Sequence, residues 1–100
     1  MPFDQIMPRP LIGSAIMTYA PSASGVYGIS NSREWIFICE ADDIRAALLQ
    51  HLQEPDTPQM RRLPTGFVFE VCERASRSAR LDRLVLEYEP ICNRRSARAR

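Results

Sequence analysis

Thirteen arginines, no lysine, one histidine and three cysteines are the groups in this 100-residue chain with the most evident capacity for chemistry. Arginine presents a planar fork that matches phosphate oxygens, although a GC-rich coding bias gives the same composition. Its distribution is uneven. Residues 1–60 carry three Arg against seven acids, and residues 61–100 carry ten against five. Arg61, Arg62, Arg74, Arg77, Arg80, Arg83 and the tail residues Arg94, Arg95, Arg98 and Arg100 are therefore candidates for a phosphate-binding surface. Arg77, Arg80 and Arg83 step by three and drift round a helix. With Asp82, Glu87 and Glu89 interspersed, they also fit a solvated mixed-charge face. His51 is alone, and on an apolar helix face an imidazole is by default packed and hydrogen-bonded. Tyr27 and Trp35 read by default as core or cross-strand aromatics. Cys39, Cys72 and Cys92 lie 33 and 20 residues apart with no CxxC or CxxH spacing, which argues against a zinc knuckle or a disulfide framework. They read as small buried thiols, and a reducing, cytoplasmic setting is expected.

The elements that must hold these residues are legible from periodicity and punctuation. Residues 1–10, with Pro2, Pro8 and Pro10, read as an arm. A short leading helix is expected over 11–19, with Pro21 closing it. The same stretch, interrupted by Gly13, Ser14 and Thr18 and with no basic cluster before it, makes a poor leader peptide. Strands are expected over 26–30 and 35–39, joined by Asn31-Ser32-Arg33-Glu34 as an antiparallel hairpin. Asp42 is the expected cap of a helix whose stripe is Ile44, Ala47, Leu48, His51 and Leu52, with Asp43 in its first turn. Residues 54–64 read as a loop, 67–72 as a third strand, and 76–88 as a last helix stopped by Pro90. Residues 94–100 read as a disordered basic tail. The expectation is one α+β domain, a three-stranded mainly antiparallel sheet with helices packed on it, in the order β-β-α-β-α after a leading helix. No apolar run approaches the roughly 20 residues of a membrane span.

Three stretches in this order carry a resemblance. Gly25-Val26-Tyr27-x-Ile29-x-Asn31 opens the hairpin, Asp43-Ile44-(x)3-Leu48-(x)2-His51 builds the next helix, and Pro90-x-x-Asn93 closes the chain. Together they resemble the GIY-YIG nuclease family over residues 25–93, flanked by an arm at 1–24 and the tail at 94–100. The resemblance implies metal-dependent phosphodiester cleavage by two motif tyrosines, an Arg and a His on the first helix, and a metal-holding Glu on the last helix. Tyr27 and His51 stand at family positions. The second tyrosine is Phe37, the glycine after it is Cys39, the arginine is Ala47 and the glutamate is Leu81. Arg45 is a weak substitute, about 200° from position 47 round the helix, and Asp82 is a weak metal candidate about 100° from position 81. Magnesium or manganese is implied only if activity survives; otherwise no cofactor is expected. The expected function is a catalytically degenerate domain that binds DNA, RNA or a protein partner, with no membrane role. Two alternatives stand beside it. One is an active endonuclease with a rearranged site using Tyr27, His51, Arg45 and Asp82. The other is a small structural or regulatory subunit.

Overall fold

The computed structural model describes residue 3 and residues 7–93; the expected tail at 94–100, with Arg94 and Arg95, lies outside them. Its elements are β1 (Arg9–Pro10), α1 (Gly13–Tyr19), β2 (Gly25–Ser30), β3 (Trp35–Ala41), α2 (Ile44–Gln53), α3 (Pro58–Arg61), β4 (Gly66–Val71) and α4 (Arg74–Tyr88). The sheet is antiparallel throughout, in the order β1-β4-β2-β3. Every residue of central β2 is buried. Gly25 opens it because the Glu70 carbonyl and the Ile44 side chain occupy the space a Cβ would need.

The sheet has four strands where the sequence pattern predicts three. The addition comes from the proline-rich arm. Arg9 pairs with Phe67 and Pro10 with Gly66, and Leu11 N–H then donates to the Thr65 carbonyl at 2.9 Å. By alternation, Pro10 turns its missing N–H away from the ladder, which is how an edge strand tolerates proline. This extended entry also delays α1 to Gly13, two residues after its expected start. Phe3 is buried, its ring centroid 6.0 Å from Trp35 and 5.7 Å from Tyr88.

Pleating sends alternate residues to opposite faces, and each face has its own core. Tyr27, Ile29 and Phe67 face α1 and α2, packed with Ile16, Ile44 and Leu48. Val26, Ile38 and Val68 face α4, packed with Phe3 and Leu84. A register shift leaves Ile36 without a partner between Trp35, opposite Ser30, and Phe37, opposite Ile29. Such a bulge lets two successive side chains share one face. Ile36 and Phe37 both reach the α1–α2 side, while Trp35 joins the α4 side.

Two local expectations are corrected. Asp43, not Asp42, caps α2, its Oδ1 accepting from Ala46 N–H at 3.0 Å. Asp42 instead accepts from Arg77 at 2.7 Å across the sheet end. Within the expected 54–64 loop, Thr57 caps the one-turn helix α3, with Pro58 in its first turn. After α4, Asn93 returns to the β3 edge. Its Oδ1 accepts from Ile38 N–H at 2.6 Å and its Nδ2 donates to the Ile38 carbonyl at 2.7 Å. One amide thus serves β3 as a neighbouring strand would. Among the described residues, no helix is long and apolar enough to cross a membrane.

Candidate functional site

Helix α2 crosses the sheet with Ala47 and His51 one turn apart on the same side. His51 therefore lands above the outward ring of Tyr27 on β2. The Tyr27 hydroxyl and His51 Nε2 are 2.8 Å apart, the rings meeting edge-on at 5.6 Å. Phe37 on β3 also meets the imidazole edge-on, at 5.8 Å and 72°. Burial pushes the Tyr27 phenol well above its usual range, with the neighbouring Cys39 adding to the shift. Burial also holds the His51 imidazole below its ordinary value, opposed by the Glu54 carboxylate. Both rings are accordingly neutral near pH 7, and a phenol donating to an unprotonated Nε2 satisfies the pair. The Cys39 thiol is raised, chiefly by burial, so it is a poor nucleophile.

These groups border a surface cavity of about 260 Å³ lined by Tyr27, Phe37, Cys39, Ala47, Gln50, His51, Glu54 and Gln59. The floor is aromatic and small apolar. Two amides and one carboxylate stand among the polar lining groups. Gln50 Nε2 donates to Glu54 Oε2 at 3.1 Å. Gln59 Oε1 is buried and accepts no hydrogen bond. Five positions singled out in the sequence, 27, 37, 39, 47 and 51, thus meet at one cavity.

Solved structures with the same architecture are forms of the GIY-YIG N-terminal endonuclease domain of UvrC from Thermotoga maritima. A point mutant bound to its catalytic divalent cation superposes with a TM-score of 0.62 at 22% identity, covering 75% of this chain and 90% of that one. The magnesium-bound form superposes with a TM-score of 0.61 at 21% identity, over 75% of this chain and 91% of the other. This chain has the GIY-YIG endonuclease-domain fold. No family model matches the sequence, and no curated protein matches it.

Set on the GIY-YIG fold, the other candidates lie away from the cavity. Leu81 packs on the α4 side, against the cluster that contains Val26 and Ile38. It is on the opposite face of the sheet from Tyr27. Asp82 beside it is exposed on α4. Arg45, offered as a substitute guanidinium, donates from Nε to the Ala20 carbonyl at 2.9 Å and straps α2 to the end of α1. It does not line the cavity. Arg77 and Arg80, offered as phosphate contacts, are held by carboxylates. Arg77 donates to Glu40 at 2.9 Å as well as to Asp42, and Arg80 donates to both Glu70 oxygens at 2.6 and 2.8 Å. Arg74 stands 3.8 Å from Asp42 at the exposed start of α4, and Arg83 is exposed on the same helix.

Arg61 and Arg62 do form part of a surface. With Arg33, Glu34, Asn31 and Leu63 they line a second cavity of about 420 Å³, between the β2–β3 turn and the end of α3. Arg62 pairs with Glu34 at 3.4 Å, and Asn31 Nδ2 donates to the Arg62 carbonyl at 3.0 Å, tying the two loops together. Leu63, with φ of 58°, is 76% exposed beside them.

Glu54 is the one carboxylate in the lining of the Tyr27–His51 cavity, and no group of three His, Cys, Asp or Glu able to hold a metal exists among the described residues. Magnesium keeps several waters and takes one or two carboxylates, so Glu54 is the lining residue that would hold it. Gln50 and Glu54 are within reach of sequence reasoning, since they flank His51 at −1 and +3. Gln59 and Arg33 carry no such signal, the first because it lies in a stretch whose prolines read as loop.

Proposed function

We propose that this GIY-YIG-fold domain binds nucleic acid without cleaving it. The observation that carries the reading is the separation of the parts a phosphodiesterase must bring together. Tyr27 and His51 are juxtaposed as neutral rings, while the position expected to hold a metal carboxylate, Leu81, packs behind the sheet. An active arrangement built on Arg45 and Asp82 would need groups that the fold directs elsewhere. Charge stabilisation at the developing oxyanions supplies much of such a reaction, and two neutral rings supply little of it. The binding half of the reading is supported by Arg33, Arg61 and Arg62. They crowd one end of the domain with only Glu34 as a lining carboxylate.

The experiment is electrophoretic mobility on single- and double-stranded DNA and RNA across a salt series, with parallel incubation in magnesium or manganese. We expect binding with little sequence preference that weakens steeply with salt, and intact substrate throughout. Arg61→Ala with Arg62→Ala should lower the slope of log affinity against log salt by about 2, since each phosphate that a guanidinium neutralises adds about 0.9. Metal-dependent turnover abolished by His51→Ala would overturn the non-cleaving half. Absence of binding at low salt would overturn the other.

A further inference from the structure

Leucine is an unexpected residue for the place that Leu63 occupies. Its φ of 58° lies in the left-handed region that a Cβ disfavours, and Pro64 pushes the residue before it towards extended backbone. Leu63 N–H donates to the Met60 carbonyl at 3.1 Å, in the turn after a helix where glycine is the usual occupant. Among the described residues one other non-glycine residue has a positive φ, Glu89, which also ends a helix and precedes a proline. There the backbone is the same but the exposed side chain is charged, and water solvates it. At Leu63 the exposed side chain is apolar. A single leucine exposed on a helix face, such as Leu86, needs no explanation. One held in a disfavoured backbone conformation points to a function.

Its neighbours fix that backbone on both sides. Asn31 Nδ2 donates to the Arg62 carbonyl at 3.0 Å, pinning the peptide that leads into Leu63. Thr65 N–H donates to the Ser30 carbonyl at 2.8 Å, two residues further on. Leu63 also lines the same cavity of about 420 Å³ as Arg33, Arg61 and Arg62. Glu34 pairs with Arg62, whereas among the described residues neither Arg33 nor Arg61 has a carboxylate partner. The cations come from two separate segments, the β2–β3 turn and the end of α3, which suits the two phosphate lines of a groove.

An apolar side chain held rigidly among guanidiniums fits a polyanion with an apolar interior, and a DNA duplex is one, with phosphates outside and stacked bases within. Apolar side chains that enter a groove between base pairs unstack that step and kink the helix. We infer that Leu63 is such a wedge, entering one base-pair step of a DNA duplex whose phosphates Arg33, Arg61 and Arg62 hold. A lipid surface also offers anionic headgroups, but one leucine beside a helix of one turn buries too little apolar area to anchor there. The wedge rests on the nucleic-acid-binding reading and adds the form of the substrate, a duplex bent at a step that unstacks easily.

The test uses a short DNA duplex with a donor and an acceptor dye at its ends and a fluorescent base analogue beside a central T-A step. Binding should shorten the end-to-end distance and raise the fluorescence of the analogue. The duplex should bind about threefold more tightly than one with a stiff A-tract at its centre, a preference read through deformability rather than base edges. Leu63→Gly suits the left-handed backbone and should keep or raise the melting temperature. It should abolish the bend, the fluorescence change and the preference, with the salt slope unchanged because no phosphate contact is lost. Leu63→Asn tolerates the same backbone and should behave alike. Duplex binding with no bend, or with a bend that both variants retain, would overturn the wedge and leave the nucleic-acid reading standing. Tighter binding to the single strand, with the variants equal to the wild type, would do the same. Binding to no nucleic acid at low salt would overturn both, and capture by anionic phospholipid vesicles that Leu63→Gly weakens would then assign the leucine to a lipid surface.

Discussion

The two faces of one sheet treat their polar residues in opposite ways. On the α4 side, Arg77 and Ser78 bond Glu40, Arg77 also bonds Ser24, and Arg80 bonds Glu70, so two sets of hydrogen bonds tie α4 to β3, to β4 and to the residue before β2. On the α2 side, one phenol–imidazole bond stands beside a cavity with an amide oxygen left over. A closed network holds elements in place, and an open one leaves capacity for a ligand. The arginine count alone suggests the reverse assignment, because the helix richest in arginine is the one whose most buried guanidiniums are already bonded.

The largest effect is expected where the closed side is opened. Glu70 and Arg80 are about 15% exposed and bidentate, so Glu70→Ala should cost about 3 kcal/mol in urea unfolding by taking both carboxylate acceptors from a largely buried guanidinium. The double change Glu70→Leu, Arg80→Met should recover most of that loss. If the single change is silent, the network is not what holds α4. Next in size is Asn93→Ala, which leaves both Ile38 backbone groups without their partner on the β3 edge. A loss of about 2 kcal/mol and faster amide exchange at Ile38 are expected.

On the open side effects should be smaller. Tyr27→Phe removes one neutral hydrogen bond, and about 1 kcal/mol is expected in the same assay. The pH dependence has a fixed sign. His51 titrates lower in the folded protein than its ordinary value of 6.5, so the unfolded chain binds the proton first. Its contribution to stability is present above about pH 6.5 and is lost as pH falls through the depressed folded value. His51→Gln should flatten that part of the stability profile. A profile unchanged by the substitution would show that the imidazole is not held neutral by burial.

What can be read in advance divides along the same line. The stripe Ile44, Ala47, Leu48 and His51 is a local pattern, and it places α2 and aims His51 at the sheet. The pattern Gly25-Val26-Tyr27 with Phe37 and Pro90-x-x-Asn93 leads to the fold that the UvrC domain structures share. Partners distant in the chain leave no such mark. Arg77 finds Glu40 37 residues away, and nothing near either announces the pair. The competition between Asp42 and Asp43 is settled by the same helix, since Arg77 takes Asp42 and leaves Asp43 to cap α2. The arm hides its strand because Pro8 and Pro10 discourage one, and only the open edge of β4 makes it useful. Gln59 sits on a helix of one turn, too short to show periodicity.

Asn93 has a consequence for the order of events during synthesis. The backbone groups it satisfies belong to Ile38, 55 residues earlier, and Tyr88 meets the Phe3 N–H across 85 residues. A chain leaving the ribosome has its hairpin and α2 well before either partner exists. The β3 edge therefore stays open as a template for other strands until the last turn of the domain has emerged, and a stall between residues 53 and 93 is the interval in which this protein is most exposed to mispairing.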